Sequence, residues 1–112
     1  MTKADMRNLV LRYLKKISEG RSVAEAYDAS VVDNAIDRCQ AFLEAEGIAY
    51  WETSDIPDGV ANAYRAYVAS QCALEFLSPE QAAPYLAGEV AALRDLRRFT
   101  VKQDGATDAV YY

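Results

Sequence analysis

The chain has no histidine, two cysteines, three prolines and five glycines in 112 residues. Without histidine it lacks the commonest general base. Two cysteines, Cys39 and Cys72, with no CxxC pair do not make a zinc site. Each falls on the apolar stripe of an expected helix, so both are read as buried thiols in a reducing compartment. A disulfide between them requires the two helices to touch there. There is no run of about 20 apolar residues, which excludes a membrane-spanning helix. The opening "MTKADMRNLVLRYLKKI" carries charge throughout, so no signal-peptide apolar region is expected there. Neither a glycine-rich phosphate loop nor a GxSxG elbow is present. Glu44 with Glu46, and Asp55 with Asp58, are the nearest approach to paired carboxylates. They fall at expected turns and helix ends, where capping and solvation account for them, and Asp55 and Asp58 lack the spacing of a calcium loop. The reading is therefore a non-enzyme with no catalytic residue, cofactor or metal.

What remains is apolar and aromatic. Hydrophobic residues make up 52% of the sequence and eight are tyrosines, too many for a disordered chain. The length suits one domain able to bury a core without staples. The net charge is −5, unevenly spread: residues 1–24 carry a net +4, 25–58 a net −8, 59–93 a net −2 and 94–112 a net +1. An acidic middle lies between basic ends. This is either an ordinary solvated surface or a means for opposite regions of neighbouring copies to meet.

The hydrophobic pattern predicts an all-α fold, a small four-helix bundle over residues 1–99 with an extended tail over 100–112. The first helix runs from Lys3 to Ile17, capped by Thr2 with Asp5 in a capping-box spacing, and carries Met6, Leu9, Val10, Tyr13, Leu14 and Ile17 on one stripe. Gly20 ends the segment. The polar stretch "RSVAEAYDAS" reads as a connecting loop with room for one helical turn. The second helix starts at Ser30, buries Val32, Ala35, Ile36, Cys39, Phe42 and Leu43, and stops at Gly47. The third starts near Pro57, capped by Asp55, and ends near Leu77. Thirteen of its 18 residues from Val60 to Leu77 are apolar, so its stripe wraps most of the way round. Alanines 61, 63, 66, 69 and 73 permit close approach. Three other helices cannot easily surround it, and part of its surface is expected to face another subunit. The fourth helix opens at "SPEQ", with Ser78 as cap, and runs to Phe99 on Leu86, Val90, Leu93 and Leu96.

Two stretches are unusual. "YWETSDIPDGVANAY" places the only tryptophan, Trp51, with Ile56 in an acidic turn before the alanine-rich helix. Both side chains either close the core at the helix entry, as a hydrophobic staple does, or form an edge that contacts another protein. The final "TVKQDGATDAVYY" has no helical period, and aromatics there suggest docking on the chain's own domain or on a partner. Arg94, Arg97 and Arg98 form a basic cluster that suits a helix C-terminus or a contact with a neighbour. With pI near 4.6, sequence-specific DNA binding is not favoured. An acidic wall that lets DNA slide past is compatible with that charge.

The order "LVLRYLKKI", polar loop, "VVDNAIDRCQAFLEAEGI", then "WETSDIPDGVANAYRAYVASQCALEF" and a tail ending in tyrosine resembles the tailed-bacteriophage head–tail connector proteins, also called adaptor or head-completion proteins of the neck. The resemblance covers nearly the whole chain, and its "DIPDG" opening an alanine-rich helix is its most specific part. It implies a structural virion protein, placed in the neck after assembly in the host cytoplasm. It also implies a homo-oligomeric ring, commonly of twelve copies, below the portal protein. Such a ring extends the DNA channel without sequence-specific binding, helps retain packaged DNA and docks a downstream neck or tail protein. Carried over by position, Ala109, Val110, Tyr111 and Tyr112 would reach the portal. Trp51, Ile56, Arg94, Arg97 and Arg98 are the other candidate inter-subunit or partner contacts. Two other readings stay open: a small helical regulatory module that binds one protein partner, and a small DNA-binding regulator.

Overall fold

A computed structural model describes residues 1–15 and 26–108. The chain forms the expected all-α bundle. The described helices are α1 (Lys3–Tyr13), α2 (Ala26–Ala45), α3 (Ala61–Phe76), α4 (Pro79–Ala87) and α5 (Glu89–Asp108), with a 3-10 turn at Asp58–Val60 before α3.

The caps explain most boundaries. Thr2 and Asp5 form the expected reciprocal capping box on α1, and the hydrogen bonds from Thr2 hold the Asp5 carboxyl below its ordinary pKa. α1 stops at Tyr13, short of the expected Ile17. Lys15 adopts a left-handed φ of 62°, and its N–H turns back to the Arg12 carbonyl. Ile17 and Gly20 lie outside the described residues. α2 is already helical at Ala26, where the expected start was Ser30, so Ser30 is inside the helix and caps nothing. Gly47 ends α2 as expected, at φ 72°. The Gly47 N–H meets the Glu44 carbonyl and the Ile48 N–H meets the Leu43 carbonyl, the Schellman arrangement that favours glycine.

The start of α3 differs from expectation. Asp55 does not cap it. Pro57 precedes the 3-10 turn with no side-chain cap, and the Asp55 carboxylate lies 4.0 Å from the Met1 amino group. Met1 and Ile56 also exchange both backbone hydrogen bonds, at 2.7 and 2.9 Å. This pairing ties residues before α1 to the turn before α3.

The helix expected over Pro79–Phe99 is divided. Ser78 caps α4, accepting from the Gln81 N–H, with Pro79 in the first turn. Gly88 caps its far end, and the Gly88 carbonyl then accepts from the Ala92 N–H to open α5. The break re-phases the apolar stripe. Leu96 is buried and Leu93 half-buried, but Leu86 is exposed and Val90 is 77% exposed. A continuous helix would have placed all four on one face. α5 then stays helical through Asp108, so residues 100–108 do not form the expected extended tail.

Packing centres on α3, which touches α1, α2, α4 and α5, while α1 pairs with α2 and α4 with α5. Tyr64, Tyr67, Val68, Ala69, Ser70, Cys72 and Ala73 are all buried along it. The nearly all-round apolar helix is thus covered mainly by its own chain. Dividing the last helix supplies a fourth wall where three were expected. Exposed Leu74 is its main uncovered apolar group.

Candidate interaction surface

The aromatic turn resolves in favour of core closure. Trp51 is 5% exposed and Ile56 0%, which corrects their assignment as partner contacts. Trp51 packs edge-on against Tyr64, with centroids 6.1 Å apart. A polar relay fixes the same place. The Tyr64 hydroxyl donates to Gln40 Oε1 at 3.0 Å, and Gln40 Nε2 donates to the Trp51 carbonyl at 2.7 Å and to Glu44 at 3.0 Å. Burial, with Cys39 and nearby carboxylates, raises the Tyr64 phenol pKa, so it serves as a neutral donor. Sequence reasoning missed Gln40. The available signal was a polar residue four places after Ile36 on an apolar stripe.

The same turn holds α5. The Thr100 hydroxyl donates to the Ile48 carbonyl, the Phe99 ring stacks on Tyr50 at 6.2 Å, and Phe99 also covers Gly59. These contacts set the rotation of α5. At about 3.6 residues per turn, Ala92, Leu96 and Phe99 face inward. Val90, Arg94, Arg97 and Arg98 occupy the opposite side, and all three arginines are exposed. The sequence-predicted cluster is therefore brought together on one outward stripe. Among the side chains of residues 1–15 and 26–100 its ion pairs run only to Asp95, at 3.7 and 4.0 Å from Arg94 and Arg98, and such exposed pairs are weak.

Part of the charge segregation is consumed inside the chain. Lys3 pairs with Asp37 at 2.8 Å and Arg7 with Asp33 at 2.9 Å, joining basic α1 to acidic α2. What α1 leaves uncovered is a second set. Glu44, Glu46, Glu52, Asp55 and Asp58 are exposed around the end of α2 and the turn that follows. Among the side chains of residues 1–15 and 26–100, none of the five lies within 4 Å of a lysine or arginine nitrogen.

Among the described residues, α2 and α5 flank α3 without touching each other. Between α2 and α3 lies an open cavity of about 210 Å³ lined by Arg38, Cys39, Phe42, Tyr67 and Gln71. Phe42, expected in the core, is 40% exposed there, with its ring 6.2 Å from that of Tyr67. Gln71 donates to Glu89 of α5 at 3.1 Å. Cys39 and Cys72 are free and buried. Burial pushes both thiols up to about 12, so they are neutral and unreactive near neutral pH.

Among the described residues no group of three or more Cys, Asp or Glu side chains is placed to hold a metal ion, and no helix is long and apolar enough to cross a membrane. Ala109, Val110, Tyr111 and Tyr112 lie outside the described residues. Compared with protein-family models, curated proteins and solved structures, the chain matches none.

Proposed function

We propose that this chain is a non-enzymatic head–tail connector of the tailed-phage neck type, which assembles as a ring on the portal protein and presents a surface to the next neck or tail component. The observation that carries the reading is the course of α5. Phe99 and Thr100 anchor it on the bundle described above. The helical backbone continues to Asp108, about 12 Å further at 1.5 Å per residue. The sequence "AVYY" follows directly. A helix that runs on past its anchors and is followed in sequence by aromatic residues suits docking on a separate protein. Repetition around a ring multiplies a modest contact into firm attachment. The acidic charge suits a lumen through which DNA slides without being held. An under-covered α3 is not part of that support, because the chain's other helices cover it.

The test removes residues 109–112 in the phage that encodes the chain. The bundle is expected to fold unchanged by circular dichroism, while portal attachment in native mass spectrometry weakens and DNA-filled, tailed particles decline. An unaltered yield of such particles, together with unaltered portal binding, would overturn the reading.

A further inference from the structure

We infer that the outward stripe of α5 is a contact for a second copy of this chain, and that it seats on the acidic rim formed by Glu44, Glu46, Glu52, Asp55 and Asp58. The inference deepens the connector reading, on which it rests for the closure of the contact into a ring.

Helix phase decides where the arginines point. Phe99 and Thr100 fasten the inner side of α5 to residues 48–59. Arg94, Arg97 and Arg98 therefore point away from the turn that carries most of the carboxylates. The two charged surfaces belong to neighbouring segments of one copy, yet the fold holds them back to back. The second copy is chosen by charge complementarity. One surface presents three guanidiniums and the other five carboxylates, and among the side chains of residues 1–15 and 26–100 each is left without a strong opposite charge. Arginine forks suit carboxylates in bidentate pairs. Val90, among the described residues the most exposed of the large apolar side chains at 77%, lies at i, i+4 and i+7 spacing with Arg94 and Arg97 and adds an apolar centre to the stripe. Because the two surfaces differ, the contact is heterologous. Repeated with a constant rotation, such a contact closes into a ring or continues as a filament.

The internal pairs Lys3–Asp37 and Arg7–Asp33 sharpen the assignment. They neutralise the middle of α2 against α1, so the free acidic charge is confined to the end of α2 and the turn after it. This is a smaller and better-defined surface than the acidic segment as a whole.

The test uses the purified full chain in sedimentation velocity, over a concentration series up to millimolar, at low and high salt. Wild type is expected to associate at low salt and to dissociate as salt screens the contact. Reversing the stripe (R94E/R97E/R98E), or the rim (E46K/E52K/D58K), is expected to weaken self-association by roughly tenfold or more, since exposed pairs contribute a few-fold each. The neutral triple variant R94Q/R97Q/R98Q should fall between, and circular dichroism checks that each variant folds. Mixing the two reversed chains should restore association, now between unlike copies.

A wild-type chain that stays monomeric at low salt, association that both reversals leave unchanged, or a mixture that fails to recombine would each overturn the contact. The two proposals separate on portal. Copies that associate through this contact but ignore portal remove the connector reading and keep the contact. A portal-bound ring that forms equally well with reversed arginines does the opposite.

Discussion

Phe99 lies over Gly59 so closely that a Cβ on the glycine would sit 2.6 Å from the ring's Cε2 and 3.2 Å from its Cζ. With only a hydrogen there, the ring seats directly on the turn before α3. Gly59→Ala is therefore expected to displace the ring from its stack on Tyr50 and to destabilise the fold by about 1–2 kcal/mol, the usual scale of overpacking. Urea unfolding followed by Trp51 fluorescence measures it. In a Phe99→Leu background the glycine substitution should cost clearly less, because the clash is with the ring. Equal costs in both backgrounds would show that the ring is not what Gly59 accommodates.

The Gln40 relay predicts an ordered pair of losses. Gln40→Leu leaves the Tyr64 hydroxyl and the Trp51 carbonyl without their partner and is expected to cost about 2–4 kcal/mol. Tyr64→Phe deprives Gln40 of one donor and should cost about 1–2 kcal/mol. Combining them should cost less than the sum, since each removes the same bond. Additive losses in denaturant unfolding would dissolve the relay into unconnected contacts.

Alkaline pH should weaken the fold. The thiols of Cys39 and Cys72 have ordinary values of 9.0 and are raised to about 12 in the folded chain by burial. The folded state therefore retains protons that the unfolded state releases. Stability is undiminished below about pH 9 and declines as pH rises towards 12, by about 1.4 kcal/mol per pH unit for each thiol. Tyr67, also raised to about 12 by burial, adds in the same direction at higher pH. The urea midpoint should fall between about pH 9 and pH 11. Cys39→Ala and Cys72→Ala should each flatten that decline while lowering stability at neutral pH. A midpoint flat over that range would contradict the burial of both thiols.

The two α1–α2 ion pairs should not be equal. Arg7 and Asp33 are each 29% exposed, and Asp33 Oδ1 is buried without a hydrogen-bond partner. Arg7→Met leaves that carboxylate unpaired and should cost about 1–2 kcal/mol, between the surface and buried cases. Lys3→Met, at a more exposed pair, should cost less than about 0.5 kcal/mol. Thermal unfolding of both variants at low and high salt checks the ranking.

Much of this was legible in the sequence. The capping box at Thr2, the stop at Gly47 and the cap at Ser78 were readable because each uses a local side-chain or glycine rule within four residues. The buried stripe of α2 followed from period alone. Phe42 escaped that rule because α2 and α5 stand apart across α3, a tertiary fact. The continuous helix expected over Pro79–Phe99 was the decisive misreading, since the helix breaks at Gly88. The break there changed the phase between the segments on its two sides, left Leu86 and Val90 at the surface, and supplied the extra wall that covers α3. The helical course of residues 100–108 was hidden because Gly105 and the polar residues around it give no apolar period. The arginines were visible as a cluster. Their direction was not, because it depends on where Phe99 meets Gly59.

The attachment of α5 also determines how the molecule bears load. Phe99 and Thr100 join the last helix to the turn at the root of the central one, rather than to its far end. Tension applied beyond Thr100 would reach the part of the bundle where the tryptophan, the glutamine relay and the Met1–Ile56 pairing converge.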